Sequence, residues 1–125
     1  MKRAFVLLYT IVMMSVGCAY SEGRFKSVGE EEFSKFIANP EVQLVDVRRA
    51  DEYNEGHIAG AENIDVTDQE FELKASRLDK SRPVAMYCRS GRRSKIAAER
   101  LSRLGYDVTE LDGGVLSWHG ELHKR

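Results

Sequence analysis

The chain has 125 residues, 42% of them hydrophobic, which is enough for one core and too few for two ordinary domains. Its 19 basic and 20 acidic residues leave a formal net charge of -1, which excludes any global attraction to nucleic acid or another acidic polymer. Charge specialisation is therefore local, and the two cysteines are the first place to look for it.

Lys2 and Arg3 precede an apolar run from Ala4 to Val16, and Gly17-Cys18 follows with small neighbours. A positive region, an apolar stretch and small residues in that order make an export signal. The run is shorter than the roughly 20 residues a membrane-spanning helix needs. Residues 1–17 read as the signal peptide, 18–24 as a short polar tether, 25–120 as the domain and 121–125 as a C-terminal tail. Ser15-Val16-Gly17-Cys18 resembles the lipobox of bacterial lipoproteins, with Ser15 where leucine is usual. The resemblance implies cleavage before Cys18, lipid on Cys18, and a place in the periplasm or cell envelope with the membrane reached only through that lipid. Exported proteins usually pair their thiols. With Cys18 lipidated or removed, Cys88 has no partner, so it is either an inert packing residue or a reactive one.

Order begins near Phe25. Ser27 and Glu30 have capping-box spacing, Glu31 and Glu32 suit a first helical turn, and Phe33, Phe36 and Ile37 share one face, so a helix is expected up to Asn39-Pro40. Val42 to Val47 is a nearly continuous apolar run, the pattern of a strand buried on both faces, with Asp46 and Arg48 at its C-terminal end. A loop is expected from Glu55 to Ile64. Phe71, Ala75 and Leu78 at i, i+4 and i+7 then predict a helix. Pro83 to Tyr87 is a second buried strand, with proline at its first position where the missing N–H is tolerated. From Ser94 the pattern is helical, with Ala97, Leu101 and Leu104 as its stripe and Gly105 as its stop. Tyr106 to Leu111 is a third strand, Asp112-Gly113-Gly114 a turn, and Val115 to Trp118 a short helix. Strands alternating with helices predict an α/β fold, a mostly parallel sheet with helices on both faces. The crevice of such a sheet lies beyond its strand C-termini, where Cys88 and the Asp46–Arg48 step both fall.

Cys88-Arg89-Ser90-Gly91-Arg92-Arg93 joins a strand end to a helix start. Unpaired N–H groups and the positive end of the helix dipole favour a thiolate there, and Arg89, Arg92 and Arg93 add cationic charge. Basic residues at a helix N-terminus oppose the dipole, so this placement points to a compensating anion, either the thiolate or a bound ligand. The same cradle suits a persulfide.

Four ordered motifs carry a family resemblance from about Phe25 to Gly120. They are Leu44-Val45-Asp46-Val47-Arg48 with Glu52-Tyr53, then residues 56–64, then the Cys88 loop, then Leu111-Asp112-Gly113-Gly114-Val115-Leu116-Ser117-Trp118. Together they resemble a rhodanese homology domain. The resemblance implies a sulfurtransferase without cofactor or metal. Cys88 would take sulfane sulfur from a small anionic donor such as thiosulfate and pass it to cyanide or a thiol acceptor. By position, the amides from Arg89 to Arg93, with Ser90 and Gly91 among them, would cradle the persulfide, and the arginines would bind the donor.

Two alternatives stand beside that. The related dual-specificity cell-cycle phosphatases need arginine after five loop residues; here that place is Ser94, with Arg93 one position early, and a six-residue loop fits a sulfur-sized group. A non-catalytic carrier or partner-binding domain would share the fold, with a protein as its partner. Asp46, Arg48 and Glu52 read as an ion-pair set that fixes the crevice wall, and Ser94 as support for the loop. His57 reads as a packing residue, and Trp118 as a core plug. His57, His119 and His123 lack metal-ligand spacing, the last two lying in a tail expected to fray.

Overall fold

In the computed structural model, which describes residues 24–124, the buried runs of the sequence form strands β2 (Gln43–Asp46), β4 (Val84–Tyr87) and β5 (Val108–Leu111). Two shorter strands, β1 (Lys26–Val28) and β3 (Glu62–Asn63), complete one sheet. The strand order is β1-β5-β4-β2-β3, and every pairing is parallel. The expected export signal and the lipid site at Cys18 lie outside the described residues.

Four α-helices connect the strands: α1 (Glu30–Ile37), α2 (Ala50–Glu55), α3 (Phe71–Ala75) and α4 (Arg92–Arg103). Alternate side chains of the sheet feed two cores, because successive residues of a strand face opposite sides. On one face Val45, Val47, Val84, Met86, Cys88 and Val108 pack with Phe71 and Ala75 of α3 and with Ala97 and Leu101 of α4. On the other face Ala85, Tyr87 and Leu111 pack with Phe33 of α1, with Ile58 and Ala61, and with Trp118 at the edge. Helices therefore cover both faces, as the strand pattern predicts.

Local expectations are corrected in several places. Ser27 caps no helix: it lies in β1, α1 starts after Gly29 without a side-chain cap, and the Ser27 hydroxyl bonds Glu110 of the neighbouring strand. Strand pairing with β5 outcompetes the local cap. The stretch expected as a loop from Glu55 to Ile64 holds β3, whose two residues pair with Val45 and Asp46. Helix α2 precedes it, short and without a buried residue, so it carries no periodic signal. Leu104 is 45% exposed, because α4 ends at Arg103 and Tyr106 fills the core instead. The Tyr106 hydroxyl donates to the Ala75 and Leu78 carbonyls at 3.2 and 3.1 Å. The tail is also tied down: His57 and His123 exchange backbone hydrogen bonds of 2.9 and 2.7 Å, and His119 Nδ1 lies 2.9 Å from Glu30 Oε2.

Candidate active site

The parallel sheet places the ends of β4 and β2 side by side, with Val45 opposite Met86 and Asp46 opposite Tyr87. Cys88 follows β4 directly and is wholly buried. Gly91, the residue before α4, adopts φ 99°, ψ -9°. That left-handed conformation turns the chain back so that the Gly91 N–H donates to Cys88 Sγ at 3.0 Å. A side chain there would also place its Cβ 1.8 Å from the Asp112 carbonyl oxygen.

The rest of the loop is held from below by a 3₁₀ helix, Gly114–Ser117. Val115 N–H donates to the Cys88 carbonyl at 2.9 Å, and Leu116 N–H to the Arg89 carbonyl at 3.1 Å. In a trans peptide the N–H opposes the C=O of the same unit, so anchoring these two carbonyls turns the amides of Arg89 and Ser90 away from the 3₁₀ helix. The close approach needs glycine at Gly114, where φ is 61° and a Cβ would lie 2.3 Å from the Arg89 carbonyl oxygen. The turn at Gly113-Gly114 is thus part of the site's construction. Behind the loop stands the N-terminus of the twelve-residue α4, whose dipole favours negative charge on the sulfur.

The three arginines occupy different environments. Arg89 and Arg92 are exposed at the loop surface. Arg93 makes a two-pronged salt bridge to Glu52 of α2, Nη1 to Oε1 at 2.7 Å and Nη2 to Oε2 at 2.9 Å. The bonded Arg93 guanidinium lowers the Glu52 pKa to about 2. Glu52 therefore belongs to Arg93, a correction of its expected pairing with Arg48. Arg48 instead pairs with Asp46 inside the protein: Nε donates to Oδ1 and to Oδ2, each at 3.0 Å, and Nη2 to Oδ2 at 2.7 Å. Its Nη2 also donates to the Gly56 carbonyl at 2.6 Å, which fixes the chain between α2 and β3. Both partners are buried, so their remaining polar atoms need these bonds. Tyr87, its phenol pushed far up by burial, accepts the Ile58 N–H at 3.0 Å. His57 stacks on Tyr53 at 3.8 Å, and its Nδ1 lies 2.9 Å from the Tyr53 carbonyl. A hollow of about 260 Å³ opens beside the loop, lined by Arg48, Glu52, Gly56, Arg89, Val115 and Leu122 among others.

Ser94 sits in the first turn of α4 with its Oγ 3.6 Å from Cys88 Sγ. It donates to Glu110 Oε1 at 2.6 Å and lies 3.2 Å from the Gly91 carbonyl. Glu110, wholly buried in β5, also meets Lys95 Nζ at 3.3 Å and the Ser27 hydroxyl. Sequence reasoning passes over Glu110 and Lys95. The available signal was a carboxylate two residues from Val108, on the same face of the expected strand.

Chemically, the site offers a buried sulfur under an N–H donor and a helix dipole, in a loop that carries two exposed arginines, Arg89 and Arg92. A family model described as rhodanese-like domain matches residues 30–121. The thiosulfate sulfurtransferase GlpE of Shewanella oneidensis is 33% identical over 96 residues, covering 76% of this chain and 93% of that protein. The protein YqhL of Bacillus subtilis, itself uncharacterised, is 34% identical over 113 residues, covering 90% and 86%. The solved rhodanese-related protein of Thermoplasma volcanium superposes with a TM-score of 0.67 at 31% identity, covering 75% of this chain and 90% of that one.

Proposed function

The chain belongs to the rhodanese-like domain family, and we propose that it is a sulfurtransferase that carries sulfane sulfur on Cys88. The Cys88 thiolate attacks the outer sulfur of an anionic donor such as thiosulfate. A new S–S bond forms, the bond between the two donor sulfurs breaks, and sulfite leaves with its electron pair. The outer sulfur of the resulting persulfide is then attacked by cyanide or a thiolate, and Cys88 is regenerated as the thiolate. The loop amides hold the charge on sulfur, and Arg89 and Arg92 bind the donor. Arg93, engaged by Glu52, holds the loop against α2.

The observation that carries this proposal is the Gly91 N–H at 3.0 Å from the buried sulfur, in a loop of six residues anchored on both sides. A wholly buried nucleophile suits a small donor. At Cys88 plus six the chain has Ser94 and not the arginine a phosphate-enclosing loop would use. We also place the protein at the cell envelope, anchored by lipid on Cys18, on the pattern of residues 1–18.

Purified protein given thiosulfate and cyanide should produce thiocyanate, and Cys88→Ser should produce none while keeping its melting temperature. Absence of turnover together with absence of a persulfide on Cys88 would overturn the proposal.

A further inference from the structure

Glu110 is a buried carboxylate that the sulfur-transfer chemistry above does not use. It lies on β5 opposite Met86, on the sheet face covered by α4, where its strand neighbour Val108 is an ordinary core residue. Burying a carboxylate there is costly unless every oxygen is bonded. Oε1 accepts the Ser94 hydroxyl at 2.6 Å, and Oε2 meets the Ser27 hydroxyl and Lys95 Nζ, the latter at 3.3 Å. Ser94 Oγ lies 3.6 Å from Cys88 Sγ, within reach of a thiol donor. A continuous chain of donors and acceptors therefore runs from Cys88 through Ser94 to Glu110.

We propose that Glu110 is the proton acceptor for the Cys88 thiol, reached through the Ser94 hydroxyl. This rests on Cys88 acting as a nucleophile, as argued above. Within the buried surroundings of Cys88, the Ser94 hydroxyl is the acceptor its thiol reaches. In the relay, the S–H bond breaks as its proton moves to Ser94 Oγ, while the hydroxyl proton of Ser94 moves to Glu110 Oε1. The electron pair stays on sulfur, Ser94 ends with one proton now directed at the sulfur, and no oxidant or reductant takes part. A thiolate and a carboxylate separated by one hydroxyl would be two buried like charges, which each disfavours. Transfer between them keeps the pair at one negative charge throughout.

The surroundings fit both states. Gly91 N–H and the N-terminus of α4 receive the charge at the sulfur. Lys95, bonded to Asp112 Oδ1 at 2.8 Å, keeps a carboxylate partner when Glu110 is neutral. Of the charged groups around the relay, Lys95 of α4 meets Glu110 and Asp112, and Arg93 of α4, which interacts with Cys88, also interacts with Glu52 of α2 and Asp46 of β2. Because Glu110 acts through Ser94, it is a positioning residue, and its role is read from a pH profile.

The experiment is alkylation of Cys88 by iodoacetamide as a function of pH in wild type, Glu110→Gln and Ser94→Ala. Glutamine keeps the size of Glu110 and, through its amide oxygen, the bond from the Ser94 hydroxyl, but it cannot take the proton and gives up the acceptor that Lys95 meets. Near pH 7 both variants should react at least about tenfold more slowly than wild type, within what a positioned proton acceptor contributes. At about pH 9.5, where hydroxide removes the proton, both should recover the wild-type rate. A Glu110→Gln rate at pH 7 equal to or above wild type would overturn the relay, because the carboxylate would then only oppose the thiolate. A loss that persists at high pH would also overturn it, as damage to packing. Should Glu110→Gln fail to fold, Ser94→Ala decides alone by the same two criteria. Alkylation reads the thiol before any sulfur donor is added, so failure of the relay and failure of sulfur transfer are separate results.

Discussion

The three loop arginines look equivalent in sequence, and their neighbours make them different. Arg93 is committed to Glu52 by two charge-assisted bonds, whereas Arg89 and Arg92 are exposed at the loop surface. Arg89→Ala and Arg92→Ala should therefore raise KM for thiosulfate by roughly three- to tenfold with little change in kcat, the signature of lost substrate binding. Steady-state kinetics check this, and a fall in kcat with KM unchanged would place the two side chains elsewhere in the reaction. Arg93 has a pH-dependent signature of its own. Glu52 sits at about 2 in the folded protein against an ordinary 4.5, so the pair's contribution is complete above about pH 4.5 and fades as the pH falls toward 2. In urea unfolding, the stability advantage of wild type over Arg93→Met should be full at about pH 6 and nearly gone near pH 2. An advantage that does not change with pH would contradict the pairing.

At the scale of elements, the strands β2 and β4 were legible because each lies in a nearly continuous apolar run of the length a buried strand requires, and β5 because it falls between the helix stop at Gly105 and the turn at Asp112-Gly113-Gly114. The position of Cys88 followed from the strand before it and the helix after it. What escaped was long-range or short. β3 has two residues and exists only because β2 offers an edge, and α2 has six residues and buries none. Ser27 illustrates the conflict between levels: its local spacing favours a helix cap, yet the neighbouring strand takes its hydroxyl across 83 residues of sequence. Glu52 was likewise assigned to its near neighbour Arg48, when Arg93, 41 residues away, holds it. The arrangement of loop and 3₁₀ helix makes a further prediction. Gly91→Ala forces a side chain into a left-handed conformation and against the Asp112 carbonyl, and should cost about 2–4 kcal/mol in chemical unfolding as well as most of the activity. Unchanged stability in that variant would mean that the loop is not held as described.

Across the whole molecule, the fold brings to one place residues drawn from β1, β2, α2, β4, α4, β5 and the 3₁₀ helix, all at the C-terminal side of a parallel sheet or just beyond it. Charge is near balance overall, and the local excess of cations lies at the Cys88 loop, as the sequence composition requires of any electrostatic specialisation. The proposed envelope location has its own test. The intact mass of protein from its native membrane fraction should begin at a lipid-modified Cys18, and an unmodified N-terminus upstream of residue 18 would contradict it. The central proposal is that sulfur travels on Cys88, and one measurement reaches it directly. Peptide mass spectrometry after incubation with thiosulfate should find one additional sulfur on the Cys88 peptide, removed on addition of cyanide and absent in Cys88→Ser. A Cys88 peptide that stays unmodified under those conditions would contradict it.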